Sequence, residues 1–560
     1  MNYHPEYAPY EETDEVIIYK NQEGIKCSRV IYGDKITING DGEMTSIKER
    51  NMERILCILC LGQNKKYGSN SSGVPYYLCK PLRPEYENLY FYVTSTKRER
   101  VNMYVWIEFV EWKRTQKLPI GTIITYIGNI GDRDVEYDML RYYHKLQLPK
   151  WRLENRKMEE IDEVDYEVFS IDPIGCQDID DAFHYKELGE GKFEIGVHIA
   201  SPTKYFTSEE WDYIIQQRIS TIYLPNKKYN MLPDMYADNL CSLLENHKRY
   251  SMSVIYTYEN DMCIRTVEFK EAKVLNRRAY NYDEVDEGIL SNTLNDDELM
   301  SIYNFTPRIM GTTCGNHYDS HKMVEFWMIR TNHEIAKMCL AINHKKTILR
   351  RCMESGMGHI NMRDENIIDR LMNRKEMKSA EYVYYNEEED MGHHLLQLDY
   401  YTHFTSPIRR GIDFYIHLLM KECIDSEYEI DIDKINSFIK RTRKLQRDMK
   451  RMEYIFNDDI ENGESVLGIL YEIGERYVTM YIPKYDLEEK IWIKNRKGYE
   501  NTEEYRTDID IDMNTGERFL YKNDIDSGER VEMRLGDEIR LCIYKYKMEE
   551  HFRNKIRISL

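Results

Sequence analysis

The chain lacks any long apolar run. The longest, Ile55 to Leu61, is too short to cross a bilayer, so no membrane span is expected. A secretory leader is not expected either, because the amino end, Met-Asn-Tyr-His-Pro-Glu-Tyr, is polar and acidic. Paired cysteines are missing too. The twelve cysteines are scattered singly except Cys57 and Cys60, which lie inside that apolar run with no second pair nearby. They read as buried core rather than a metal knuckle, with reduced thiols in a cytoplasmic or nuclear setting. Net positive charge is absent: 78 Lys and Arg stand against 98 Asp and Glu, a formal charge of −20. That argues against non-specific nucleic-acid binding by the whole surface. No repeat of solenoid length occurs. The 560 residues are enough for several domains with a sizeable core.

What is present is most informative at residues 171–184, Ile-Asp-Pro-Ile-Gly-Cys-Gln-Asp-Ile-Asp-Asp-Ala-Phe-His. Asp172, Asp178, Asp180 and Asp181 fall within ten positions, with no Lys or Arg among them. Like charges so close must be protonated or neutralised. Oxygen-only ligands suit magnesium, with manganese as the alternative, rather than zinc. Pro173 and Gly175 bend the chain so that Asp172 can fold back toward the other three. Asp178 and Asp180 share a face of an extended segment, and Asp181 faces away unless the backbone turns. A solvated acidic loop is the other reading of this segment taken alone. Residues 193–200 then alternate, with Phe193, Ile195, Val197 and Ile199 on one side, which predicts a buried strand.

A second segment, Tyr401-Thr-His-Phe-Thr-Ser-Pro-Ile-Arg-Arg410, predicts a helix start, with Ser406 as N-cap and Pro407 as the first helical residue. Arg409 and Arg410 would then stand at the positive end of the helix dipole, where cations cost stability. Such a broken local rule marks a functional site, here a corner that could hold phosphate. Arginines that simply face water are the alternative.

With these two segments the chain resembles the RNase II/RNase R superfamily of processive 3′-to-5′ exoribonucleases, which includes the catalytic subunit of the eukaryotic exosome. Pro-Ile-Gly-Cys ahead of the acidic triplet looks most like the eukaryotic branch. Further blocks follow in family order: Tyr223-Leu-Pro-Asn, Met231-Leu-Pro, Asn239-Leu-Cys-Ser-Leu243, Tyr282-Asp-Glu-Val285, Met323 to His333, Leu349-Arg-Arg351 and Thr405 to Arg410. The resemblance implies an α+β catalytic RNB domain flanked by small all-β OB-type barrels. Its expected boundaries are a first cold-shock/OB-type domain over 1–62, a second over 63–149, the RNB domain over 150–457 and a ribosomal-protein-type OB domain over 458–560 with an acidic insertion around 500–531.

Short strands at Val16–Tyr19, Lys35–Asn39, Arg54–Leu61, Leu89–Val93, Met103–Val110 and Thr122–Ile127 fit the leading barrels, and Gln63–Ser72 is expected as a disordered loop. Asp508, Asp510 and Asp512 imitate a calcium loop, but Met513 and Phe519 occupy its sixth and twelfth positions, so the pattern fails. Asn514-Thr-Gly516 and Asp526-Ser-Gly528 read as hairpin turns.

For the chemistry, the four aspartates are expected to hold a pair of metal ions, with Asp180 also catalytic, and Arg409 to clamp the phosphate. The resemblance places Tyr223 and Tyr282 against the terminal nucleotides and Glu453 near the departing one, with Arg410 also on the RNA. Residues 440–451 carry seven cations against one acid on an amphipathic helix, too unbalanced for salt-bridge lacing. Arg443, Lys444 and Arg447 there are expected to contact the RNA backbone. His184, His198, His403 and His393-His394 lack partners at metal-ligand spacing, and His198 reads as a hydrogen-bonded structural residue.

Two positions depart from the family: Ser201 replaces the usual aspartate, and Gly411 the usual tyrosine, whose loss would loosen the clamp. The reading is a magnesium-dependent exoribonuclease that releases nucleoside 5′-monophosphates from single-stranded RNA. Its rivals are an RNA-binding scaffold that has lost catalysis and a deoxyribonuclease, separated only by contacts to the 2′-hydroxyl. A monomer is expected, and a stable exosome-like complex is not, because the tethering domain of the exosome subunit has no room here.

Overall fold

The computed structural model describes residues 7–559 apart from 14–15, 22–28, 39–43, 87–88, 152–160, 162, 260–263, 311–317, 354–378, 493–504, 512–517 and 525–529. The chain divides into two compact units, one of Met1–Gln147 with Arg441–Leu560, the other of Leu148–Lys440. No helix among the described residues is long and apolar enough to cross a membrane.

In the first unit, Tyr7–Thr13, Val16–Asn21, Lys35–Ile38 and Met44–Glu49 pair in sequence order as an open sheet. A closed barrel follows, built from Ile55–Leu59, Tyr76–Pro81, Phe91–Thr94, Met103–Glu111 and Ile120–Asn129. Ile55–Leu59 closes it by pairing with both Tyr76–Pro81 and Met103–Glu111. This corrects the expected boundary at 62/63, because the strand belongs to the barrel that follows it. Leu59, Cys57, Phe91, Val93, Val105 and Ile107 fill the core. Cys57 is buried there, whereas Cys60 is half-buried.

The stretch Gln63–Ser72 is not a disordered loop either. The Tyr67 N–H donates to Tyr76 O and the Asn70 N–H to Val74 O, each at 2.9 Å, so it folds back on the next strand. Asn70 Oδ1 accepts from the Ser72 and Val74 N–H groups, a local closure that polar composition alone conceals.

The carboxyl-terminal region holds a five-stranded sheet of Glu464–Ile473, Tyr477–Ile482, Leu487–Trp492, Glu538–Lys545 and Ile556–Ser559. The acidic insertion makes its own three-stranded sheet of Tyr505–Ile511, Arg518–Asp524 and Arg530–Met533. Asp508 and Asp510 lie on the first of these strands, while Asp512 and both expected hairpin turns fall outside the described residues.

The second unit is built around another closed barrel: Tyr166–Asp172, Asp181–Gly189, Lys192–Ala200, Lys248–Tyr258 and Ile264–Asn281. It closes through parallel pairing of the first and last strands, Tyr166↔Val274 to Asp172↔Asn281. One face of Lys192–Ala200 carries the expected apolar stripe. Phe193 packs on Phe305 of the helix Asp297–Met310, and across the pairing Tyr256 packs on Trp327 of the helix Ser320–Asn343. The opposite face is buried too and carries His198, whose Nε2 meets His184 Nδ1 at 2.6 Å and whose Nδ1 meets Ser253 Oγ at 2.8 Å. These histidines are hydrogen-bonded core. Gly196 makes room for them, since a Cβ there would lie 2.2 Å from the His184 ring.

A fully buried ion pair in the first unit offers a stability test. Lys555 Nζ lies 3.1 Å from Glu136 Oε1 and donates to Lys547 O and Glu549 O at 2.6 Å each. Burial pushes the Glu136 carboxyl up, against the opposing pull of Lys555 and of the Gly131 N–H. Lys555→Met should therefore cost about 3–5 kcal/mol near pH 8, the range for stripping one partner from a buried pair. The loss should shrink as pH falls toward 5, because the Glu136 carboxyl, already raised by burial and raised further without the cation, binds a proton more readily and then needs no partner charge. Urea titrations at the two pH values measure the difference; equal losses would mean that Lys555 acts through packing.

Candidate functional site: an acid-lined cavity at the barrel end

The Tyr166–Asp172 strand ends at Asp172 and the next begins at Asp181, and the register Phe169↔Phe183 brings those ends side by side. Between them the chain turns at Pro173–Cys176, with the Cys176 N–H donating to Pro173 O at 3.0 Å and Gly175 at φ +78. Asp172 folds back as expected. The block Asn239–Leu243 holds the later part of the turn: Ser242 Oγ accepts from the Ile179 N–H, and the Leu243 N–H donates to Ile179 O, both at 3.0 Å.

The four aspartates do not form one cage. Asp180, 2 % exposed, accepts the Ile408 N–H on Oδ1 at 3.1 Å and Arg409 Nε on Oδ2 at 2.8 Å. Asp178 accepts Lys228 Nζ on Oδ1 at 2.8 Å and the Tyr223 hydroxyl on Oδ2 at 2.6 Å. Asp172 and Asp181 have no such cationic partner in hydrogen-bond contact, and Asp172 Oδ2 is buried without a hydrogen bond. Among the described residues no three His, Cys, Asp or Glu side chains converge as metal ligands. Two of the four carboxylates are thus already bonded to protein cations, Asp178 to Lys228 and Asp180 to Arg409.

Burial pushes Asp172, Asp180 and Asp181 each up to about 7. Asp172 raises Asp181 further and Asp180 raises Asp172, whereas Arg409 pulls Asp180 back down. A divalent cation fits the first pair: magnesium typically takes one or two carboxylates and completes its shell with water and phosphate oxygens.

A cavity of about 620 Å³ opens over this surface, lined by the four aspartates, Cys176, Tyr223, Lys228, Tyr282, Asn332, Tyr401, Ser406, Arg409 and Arg410 among others. Arg409 also donates from Nη2 to Ser406 Oγ at 3.0 Å, and its side chain remains 44 % exposed. Arg410 is turned to buried Asp413, 2.7 Å away. Tyr223 is 43 % exposed. Tyr282 is already stacked on His321, with ring centres 3.7 Å apart and planes 18° apart.

The helix begins later than expected, at Gly411, with Arg410 as the extended cap residue at φ −132. Residues 406–409 form a separate turn, and Arg410 bridges to Ser220 as an isolated β pair. The reason is tertiary. The Thr221 N–H donates to Arg409 O at 3.0 Å and the Gly411 N–H to Ile219 O at 2.7 Å, which pulls Arg410 out of helical geometry. Gly411 leaves no void where an aromatic ring would have stood: a Cβ there would meet Ile219 O at 3.0 Å and Ile215 Cα at 3.1 Å. The expected loosening is therefore replaced by direct backbone packing. Ser201 is buried, its Oγ 3.5 Å from Thr203 Oγ1.

Sequence reasoning missed Lys228 because nothing local distinguishes it from Lys227. It also missed what Asn332 does: its amide donates to Tyr401 Oη at 3.1 Å and accepts from the Phe404 N–H at 2.8 Å, fixing the segment that carries Arg409. His403 meets Tyr382 Oη at 2.5 Å, and burial holds it well below its ordinary pKa.

The basic segment lies on the helix Ile432–Phe456, whose part from Arg441 onward belongs to the first unit. It is laced after all: Arg451 pairs with Glu489 at 2.5 Å, Lys450 pairs with Asp486, and Asp448 bonds His144. These partners come from distant sequence, out of reach of a local charge count. Lys444, Arg447 and Glu453 are exposed, and Arg443 is half-buried.

The architecture is an α+β domain centred on a barrel, in a chain that also carries an OB-type barrel. An RNB domain model matches residues 161–305 and 293–426, and a Dis3-like cold-shock domain 2 model matches 85–145. The chain belongs to the RNB family. It is 26 % identical over 473 residues to the probable exosome complex exonuclease RRP44 of Caenorhabditis elegans, a match of 67 % of this chain and 49 % of that protein. It is 28 % identical over 310 residues to ribonuclease R of Chlamydia muridarum, 45 % of each chain. The chain thus spans about half the length of the curated relatives it matches.

Among solved structures, Mycoplasma genitalium RNase R in complex with ribose methylated single-stranded RNA superposes with a TM-score of 0.70 at 16 % identity, over 99 % of this chain and 98 % of that one. Yeast Ssd1, described as a pseudonuclease, gives 0.61 at 15 % identity, over 92 % and 81 %. At these identities the superpositions speak to the fold.

The raised carboxyls make stability depend on pH. The unfolded chain releases these protons near the ordinary value of 3.8, the folded one near 7, so between those values the folded state binds more protons. In the presence of a chelator, melting temperature should fall as pH rises from about 5 to 8. Asp181→Asn should remove part of that slope and raise the melting temperature at pH 8. A profile unaltered by the substitution would place the titration elsewhere.

Proposed function

We propose that this chain is a magnesium-dependent 3′-to-5′ exoribonuclease that degrades single-stranded RNA processively to nucleoside 5′-monophosphates, acting as a monomer in the cytoplasm. The observation that carries this reading is the Asp180–Arg409 contact, which sets a guanidinium against the acidic turn inside the cavity of an RNB domain. RNB relatives named as exonucleases and ribonuclease R support it.

Asp172 and Asp181 would hold the divalent cation, which when bound supplies neutralisation of the scissile phosphate and a water of lowered pKa. Asp180 holds Arg409 by Nε and Ser406 Oγ steadies it at Nη2, and the side chain, still part exposed, lines the cavity where phosphoryl oxygens would sit. Tyr223 and Tyr282 offer ring faces to the terminal bases, a contact tolerant of sequence. Lys444 and Arg447, with Arg443, offer positive charge to the RNA backbone, Arg410 supports the arginine corner, and Glu453 is assigned to the departing nucleotide on resemblance alone.

A second reading is an RNA-binding scaffold without catalysis, favoured by the likeness in fold to Ssd1. Presence of all four aspartates and Arg409 weighs against it.

Labelled RNA distinguishes the two. Purified protein with magnesium should shorten 5′-labelled RNA from its 3′ end, and a 3′-phosphate should block it; internal cuts in circular RNA would refute the exonuclease reading. Asp180→Asn should abolish turnover while RNA binding persists, since Asn keeps an acceptor for the Ile408 N–H but loses the ion pair. Arg409→Lys should lower turnover by roughly 10²–10³, as for loss of one oxyanion donor, with affinity and salt dependence little changed. Neutralising Arg443, Lys444 and Arg447 should do the reverse, weakening binding and flattening its salt slope. If both sets behave alike, Arg409 is only another backbone contact.

A further inference from the structure

Lys228 stands where the charge of the acidic turn is least expected to be met by protein. It lies on a two-residue hairpin in which Ile222–Tyr223 pairs with Lys228–Tyr229. Tyr223 and Lys228 are direct cross-strand partners, so both side chains reach the same aspartate. Tyr223 takes one oxygen of Asp178 and Lys228 the other. The ammonium also lies 2.7 Å from Asp238 Oδ1, and Asp238 is held in turn by Asn230 Nδ2 at 3.0 Å. A cation bridging two carboxylates, lining the cavity and only 22 % exposed, is the arrangement a bridging metal ion would otherwise adopt.

We infer that the Lys228 ammonium occupies the place of a second divalent cation, so that the cavity binds one such ion, at Asp172 and Asp181. The inference rests on the metal assignment made above. A carboxylate oxygen has lone pairs to spare, so hydrogen bonding to Asp178 does not by itself exclude a metal. The charge does: a divalent ion on Asp178 would sit within a few ångströms of the ammonium, and their repulsion in a partly desolvated site outweighs what it would be in water. Asp180 is closed to a second ion in the same way by Arg409. Of the four aspartates, only Asp172 and Asp181 present carboxylates without a cation in contact among the described residues. A single ion also leaves Lys228 as the fixed positive charge on the Asp178 side of the cavity. It is there a positioning residue that holds Asp178 and Tyr223 in place.

The test is the stoichiometry of Mn²⁺ binding to the full chain at pH 8, without RNA, followed by electron paramagnetic resonance. Surface binding is subtracted by running the Asp172→Asn/Asp181→Asn double variant alongside. The wild type should bind one equivalent more than the double variant. Lys228→Met should gain a second equivalent, because Asp178 and Asp238 are then left without their cation, and Lys228→Arg should remain at one. Two equivalents in the wild type, or none, overturn the inference, as does a folded Lys228→Met that still binds one. If Lys228→Met fails to fold, the wild-type count and Lys228→Arg decide. No RNA is present, so a chain that binds one ion yet leaves RNA intact would sink the proposed activity and not this inference.

Discussion

A buried carboxylate has to be paired, and in this protein the pairing of Asp180 holds the site together. Its side chain gathers the Ile408 N–H and Arg409 Nε, while its own carbonyl accepts the Ala200 N–H at 2.8 Å. The barrel strand Lys192–Ala200, the acidic turn and the segment before the helix Gly411–Met420 are thereby joined at one residue. An ion desolvated to this degree would be prohibitive without such partners. The backbone around it is organised to supply them: Thr221 and Gly411 hold the arginine turn from one side and Asn332 from the other.

The electrostatics of the cavity follow from unequal pairing. Asp178 and Asp180 each have a cation in contact, whereas Asp172 has the neutral side chains of Ser170 and Cys176 against its burial, and Asp181 is buried with Asp172 raising it further. Four similar residues in one short run therefore divide into two that are fixed by protein and two that are left frustrated. Frustrated carboxyls whose pKa lies near neutrality are what functional sites concentrate. The buried His184–His198 pair, in contrast, is satisfied by Ser253 and Glu194 and has no open position.

Much of the local structure was legible. Six strands expected in the first 130 residues appear at Val16–Asn21, Lys35–Ile38, Ile55–Leu59, Phe91–Thr94, Met103–Glu111 and Ile120–Asn129, because period-two apolar runs bounded by turn residues have few other solutions. Tyr76–Pro81 was missed, since its alternation, Tyr-Tyr-Leu-Cys-Lys-Pro, is masked by tyrosines on both faces. The basic helix is amphipathic as its spacing predicts, but the partners of its cations, Glu489 and Asp486, lie beyond any local window.

The sequence by itself determined which groups could do chemistry: an acidic turn without local cations, an arginine pair after Ser-Pro, and tyrosines in family order. These are properties of composition and short-range spacing, and they survive without coordinates. Tertiary structure alone decided how the groups are used. Lys228 reaches Asp178 only through a cross-strand pairing, Arg409 reaches Asp180 across more than two hundred residues, and Arg410 is drawn out of its helix by Ser220. Electrostatic and hydrogen-bond energies depend on distance in space, and the chain brings those distances about only when it folds.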